Sequence, residues 1–333
     1  EAVEKDKGLN RLAHKRSHWC ISPACAAGRV FSMGSAGLLY AYDAETGGKL
    51  WEVAAEPRLQ ELRRNCLQKK ELCWDGFEGS SLVVTGGNVV VPHGVLTAFD
   101  VRTGTRKWRT EEKVLSRHAT PVFWKHDGRD YLVANDGEGK VHLIDPEDGG
   151  TIWTLEGLGN QIGTVTVTGD LAVLNAGSQR ATDRKNNGLF GVFKLSLTGA
   201  EKLWMLPDVA SYRHSWTKDR GAERRTAVRD GFVYFVVGVN KKERLVAAEA
   251  ESGRIVFETE ADVHAPYPFD DRLLLYADRA HTDPVTAQWW SLEDPARPKR
   301  LHGEVGFGPR TTTAYIVPIQ WPYVDGVLYA RTM

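Results

Sequence analysis

The chain has no surplus of charge, no long apolar run and little sulfur. Its 43 Lys and Arg balance 43 Asp and Glu, so the formal net charge at neutral pH is zero. Neutrality argues against nucleic acid as the main partner, because phosphate binding draws on a basic surplus. No stretch is apolar over the ~18 residues that a membrane-crossing helix needs. With 42% hydrophobic residues the chain has enough apolar surface to fold, so bulk disorder is excluded. Met occurs 3 times and Cys 4 times. There is no Gly-x-Ser-x-Gly elbow and no phosphate-binding loop, which removes two common enzyme signatures.

What the chain does hold in quantity is Trp, 11 residues, and Gly, 33 residues of 333. A repeat accounts for both. GLLYAYDAETGGKLW (Gly37 to Trp51), GVLTAFDVRTGTRKW (Gly94 to Trp108) and GKVHLIDPEDGGTIW (Gly139 to Trp153) share one spacing. In each, Gly is followed by Asp (Asp43, Asp100, Asp145), then Gly (Gly47, Gly104, Gly149), then Trp. Gly188 to Trp204 is a looser copy, a weaker one ends at Phe257, and the weakest ends at Leu301. The period is about 50 residues, in the range of repeat architectures.

Each unit reads as strands. Runs such as LLYAYD alternate, Asp-x-x-x-Gly supplies a turn, and a short strand ends on the large ring. Upstream lies another strand pair, opened by Ser22-Pro23, Thr120-Pro121 or Ala265-Pro266 and turned at Ala27-Gly28, Gly86-Gly87, Asp127-Gly128, Gly169-Asp170, Asp230-Gly231, Asp270-Asp271 and Asp325-Gly326. Four short antiparallel strands, repeated, predict an all-β fold, a β-propeller of four-stranded blades. Seven turns predict seven blades, with eight the alternative. The single domain covers residues 1–333, with a helical insert over 56–75 between blades one and two, whose helix spans Glu56 to Glu71.

The pattern G-x-L-Y-A-x-D-x-x-T-G-x-x-x-W resembles the PQQ-like propeller repeat of quinoprotein alcohol dehydrogenases and of BamB-type assembly lipoproteins. The resemblance implies that Trp51, Trp108, Trp153 and Trp204 are structural and pack between blades. It also raises PQQ and Ca²⁺ as cofactors. The dehydrogenases hold the quinone against a disulfide of adjacent cysteines, and this chain has no Cys-Cys pair. No cofactor is therefore expected, and a PQQ- and Ca²⁺-dependent dehydrogenase is the alternative reading. PQQ-like propellers are commonly exported, so the resemblance implies a periplasmic or extracellular location.

A propeller's binding site is expected at the loops that enter the first strand of each blade. These carry His18 and Trp19, Glu78, Arg117 and His118, Asn160 and Gln161, then Arg213, His214, Trp216, Arg224 and Arg225, then His264 and Arg310. They form the candidate ligand-binding set, suited to a protein partner or a small anionic ligand, since Arg forks grip carboxylates. His18, His118, His214 and His264 are weak metal candidates, and no H-x-H pair supports them. A metal-dependent lyase or hydrolase at this His-rich mouth is a third reading. No catalytic residue stands out. Cys20, Cys25, Cys66 and Cys73 allow three disulfide pairings, Cys66 with Cys73 being the local one. The leading expectation is a non-catalytic binding scaffold, monomeric, without nucleic acid or membrane span.

Overall fold

A computed structural model describes residues 22–34, 37–69, 80–115, 119–136, 138–158, 161–162, 164–177, 189–207, 226–237, 244–261, 265–277, 286–301, 305–306, 323–324 and 327–328. The described chain is almost entirely β. It falls into two compact units, the first holding β1–β12 and the one helix, the second β13–β28.

The first unit contains three four-stranded antiparallel sheets. They are β1 (Ala24–Ala26), β2 (Arg29–Met33), β3 (Leu38–Asp43) and β4 (Lys49–Ala54); β5 (Val83–Thr85), β6 (Asn88–His93), β7 (Val95–Asp100) and β8 (Arg106–Arg109); and β9 (Val122–His126), β10 (Arg129–Asn135), β11 (Val141–Ile144) and β12 (Thr151–Leu155). Each strand pairs with its neighbour in sequence, so every sheet is a meander. The helix α1 (Pro57–Lys69) lies in the chain between β4 and β5.

The second unit repeats the plan. Its first sheet is β13 (Gln161–Ile162) and β14 (Thr166–Thr168), both on β15 (Leu171–Gly177), then β16 (Leu189–Ser196) and β17 (Gly199–Pro207). Next come β18 (Ala227–Arg229), β19 (Phe232–Val237), β20 (Arg244–Glu249) and β21 (Ile255–Glu260). The third is β22 (Ala265–Phe269), β23 (Arg272–Ala277), β24 (Thr286–Ser291), β25 (Lys299–Arg300) and β26 (Val305–Gly306). Pro266 and Pro268 sit on β22, an edge strand of that sheet, where a missing N–H costs no ladder bond. A further ladder pairs β27 (Tyr323–Val324) with β28 (Val327–Leu328). The described residues thus form six blade-like sheets and one strand pair.

The cores lie between successive blades, because the second strands are buried on both faces. Val89 and Val91 join a cluster with Phe31 and Leu39 of the preceding blade, while Val90 between them packs with Leu132 and Ile144 of the following one. In the second unit Val233 and Phe235 face Val173 and Phe190, and Tyr234 and Val236 face Leu273 and Trp290. Two-residue side-chain periodicity sends alternate residues to opposite neighbours, so such strands read as continuous apolar runs.

The repeat signature forms one local structure. Asp43 Oδ1 accepts the backbone N–H of Glu45 and Thr46 and the Thr46 hydroxyl, and Asp100 does the same with Arg102 and Thr103. These bonds hold both carboxyls below the ordinary carboxylate range, the backbone bonds from Thr46 and Thr103 contributing most. Just before the turn the ladder shifts by one residue, between Ala41 and Tyr42 and again between Ala98 and Phe99. The bulge sets Trp51 opposite Ala41 and Trp108 opposite Ala98, and the small partner leaves the ring room. Each ring then reaches the next blade. Trp51 Nε1 donates to Val101 O at 3.2 Å, Trp108 Nε1 to Pro146 O at 3.0 Å and Trp204 Nε1 to Ala250 O at 2.8 Å. In blade three Asp148 replaces the turn threonine, and Arg129 Nη2 compensates by bonding both Asp145 oxygens at 2.7 Å.

Cys25 is an exposed, free thiol on β1, between half-buried Ala24 and Ala26. Cys20 and Cys73 lie outside the described residues, as does the side chain of Cys66.

Candidate functional site

The meander gives each blade two unlike ends. The turns between first and second strands, and those between third and fourth, lie at one end. There Asp43, Asp100 and Asp145 accept backbone hydrogen bonds within their own turns. The other end carries the second-to-third connections and the chain's passage from blade to blade, where the sequence places its candidate loops.

In the first unit this entrance end is a polar surface built from three adjacent blades. Ser22, Ser81 and Thr120 each stand two residues before a first strand. Ser22 N–H donates to Ser81 Oγ at 3.4 Å, and Ser81 N–H donates to Thr120 Oγ1 at 3.2 Å. The hydroxyls of Ser81 and Thr120 therefore each accept the backbone of the blade before, and these two bonds link the three entrances. In the second unit the Thr226 hydroxyl donates to Thr166 Oγ1 at 2.8 Å, a side-chain bond between neighbouring blades.

Two buried polar groups flank that ladder. Glu56, 7% exposed, precedes α1, and its Oε1 accepts from Arg109 Nη1 at 3.1 Å. The same guanidinium nitrogen donates to Thr97 Oγ1 at 3.0 Å. Glu56 is held in place by Gly37, whose carbonyl accepts its N–H at 3.0 Å and whose missing Cβ would lie 2.6 Å from Glu56 O. In blade three, His142 sits 3% exposed at the entrance end of β11, with Nδ1 3.0 Å from Thr154 Oγ1 and Nε2 3.6 Å from Asp136 Oδ2. Sequence reasoning missed Glu56, Arg109, Asp136 and His142. Asp136 closes the apolar run YLVAND, but His142 lies within KVHLID and gives no signal of its own.

Of the sequence candidates, Gln161 lies on β13, where it pairs with Gly177. His18, Trp19, Glu78, Arg117, His118, Asn160, Arg213, His214, Trp216, Arg224, Arg225, His264 and Arg310 lie outside the described residues. Their neighbours place their attachment points. Arg117 and His118 precede Thr120, Glu78 precedes Ser81, His18 and Trp19 precede Ser22, and Arg225 precedes Thr226.

A quinone centre held against adjacent cysteines does not fit this sequence. The chain has no adjacent cysteines, and among the described residues no group of three His, Cys, Asp or Glu converges to hold a metal ion. At this end the Arg109 guanidinium is held by Glu56 and Thr97.

Fold and surface together define a β-propeller protein of the PQQ-like class. The family profile described as outer membrane protein assembly factor BamB matches residues 5–220, and the chain belongs to that family. Among solved structures it is similar to BamB from Moraxella catarrhalis, at 16% identity and a TM-score of 0.54, with 84% of this chain and 73% of that one covered. It is also similar to the computationally designed Ika8 protein (12% identity, TM-score 0.53, 85% and 74% covered). A third is Saccharomyces cerevisiae Sqt1 (8% identity, TM-score 0.55, 80% and 68% covered). At these identities the likeness is one of fold. No curated protein sequence matches the chain significantly. No described helix is long and apolar enough to cross a membrane.

Proposed function

We propose that this propeller is a non-catalytic scaffold that binds a protein partner through its blade-entrance face. The observation that carries the reading is the asymmetry of the blade ends in the first unit. At one end Asp43, Asp100 and Asp145 are engaged by their own turns, and the other gathers the hydroxyl bonds, the Glu56–Arg109–Thr97 cluster and the His142 site. The loops bearing Arg117, His118, Arg224 and Arg225 attach at that same end of their blades. Membership of the BamB family supports a periplasmic or other extracytoplasmic location and a role in assembling other proteins. A small anionic ligand is the second reading, since the loop arginines suit carboxylates.

Site-specific photocross-linking in the native cell tests the proposal. A cross-linker at position 117 or 224 should capture a discrete protein, and one at Glu45, in an exposed turn at the opposite end, should not. His118→Glu should reduce the capture from position 117, and Arg225→Glu the capture from position 224. Capture from Glu45 alone would place the interface at the wrong end and overturn the reading.

A further inference from the structure

We propose that helix α1 is a cationic docking surface for an acidic segment of a protein partner. The inference rests on the scaffold reading above and names the partner's chemistry at one place on the face. α1 is inserted in the passage from β4 to β5, so it decorates the entrance end and is continuous with the proposed interface.

The helix is fastened at its start and free along one side. Leu59, 7% exposed, packs into the core shared by blades one and two, and Glu56 ties the residue before the helix to Arg109 of β8. Arg58, Glu61, Arg64, Asn65 and Gln68 are all exposed. At spacings of three and four residues they make one solvent-facing stripe along the helix. The helix PRLQELRRNCLQK carries four cations, Arg58, Arg63, Arg64 and Lys69, against the single anion Glu61, in a chain whose net charge is zero.

The charge is also placed against local helix physics. No acidic residue stands in the first turn, and Arg58 does, where the helix dipole disfavours a cation. The carboxylate just before the helix, Glu56, is engaged by Arg109. A helix that needed only to cover the blade rim would gain from an acidic first turn. A carboxylate-rich partner would offset the unfavourable placement and supply the missing anions, so the charge pattern selects an acidic segment.

The test uses the whole chain and two probes. One is a fluorescent fifteen-residue Glu-rich peptide with a Gln-for-Glu control, read by anisotropy at low ionic strength. The other is phosphatidylcholine vesicles containing phosphatidylglycerol, read by sedimentation. Wild type should bind the acidic peptide and not its control, and binding should weaken as salt shortens the screening length. Arg58→Glu with Arg64→Glu should weaken peptide binding by about tenfold or more, since two attractive charges become repulsive. Both side chains are exposed, so the circular dichroism melt should not move. Undiminished peptide binding by this double variant overturns the proposal. Loss of vesicle binding with unchanged peptide binding also overturns it, in favour of a lipid surface. If His118→Glu abolishes cross-linking from position 117 while the α1 variant binds the peptide normally, the entrance-face reading stands and the α1 proposal falls.

Discussion

Trp108 and Gly149 fit each other with no space for a side chain between them. A Cβ on Gly149 would lie 2.5 Å from Cε3 of the Trp108 ring, and the glycine holds φ at +78°. The same contact joins Trp51 to Gly104 and Trp204 to Gly253, at 2.9 and 2.6 Å. The ring that ends one blade therefore covers the turn glycine of the next, and its N–H closes on that turn's carbonyl.

Gly149→Ala should destabilise the protein by about 2–4 kcal/mol, because it adds both a strained left-handed backbone and a clash with the ring. Gly128→Ala is the control. Gly128 also has a positive φ, +77°, but nothing lies within 4 Å of its would-be Cβ, so only the backbone cost of about 1–2 kcal/mol remains. Urea midpoints of the two variants should differ in that order, and equal shifts would mean the ring contact contributes nothing.

Trp108→Phe keeps an aromatic ring over Gly149 but removes the donor to Pro146 O. The expected loss is about 1–2 kcal/mol, from the missing hydrogen bond and the smaller ring. Trp108→Ala should cost about 3–5 kcal/mol, since the side chain is 7% exposed and belongs to the core between blades two and three. If thermal melts put the two variants at the same stability, the ring's area is not what holds the blades.

The blade plan was legible because it is local. Asp100, Gly104 and Trp108 lie within nine residues, and their spacing alone encodes the turn, the bulge and the ring. The Asp127-Gly128 and Asp230-Gly231 turns were readable for the same reason, as their positive φ values need those residue types. The entrance clusters were not readable. Glu56 and Arg109 are 53 residues apart, and nothing near either one signals the other. His142 alternates correctly within KVHLID and so passes for an ordinary strand residue, and its polar neighbours arrive only when β10 and β12 flank it. The free thiol of Cys25 likewise depends on which face of β1 meets solvent, and an even cysteine count carries no such information.

Acid should loosen the turns. Asp43 and Asp100 have carboxyls held below the ordinary carboxylate value by backbone donors, so their folded forms bind a proton less readily than the unfolded chain. Their contribution is present above the unfolded value and is lost as pH falls from about 4 through the depressed folded values. The melting temperature of wild type should therefore drop between neutral pH and pH 3 by more than that of Asp43→Asn with Asp100→Asn, whose amide oxygens accept the same bonds without titrating. Equal acid sensitivity would mean that these two carboxylates do not couple to folding.

The Glu56–Arg109 pair should couple the helix to the second blade. Glu56 is the more buried partner, its side chain 9% exposed against 40% for Arg109. Arg109→Met thus leaves a buried carboxylate with its charge uncompensated, at a cost of about 1–3 kcal/mol, whereas Glu56→Gln keeps an acceptor and should cost less. The double variant should be more stable than the sum of the single losses implies, with a coupling of about 1 kcal/mol in a double-mutant cycle. Amide exchange in α1 should speed up in Arg109→Met while the strands of blade three stay protected, because the pair fastens the start of the helix and not the sheets. An additive cycle, with exchange in α1 unchanged, would show that Leu59 alone anchors the insert.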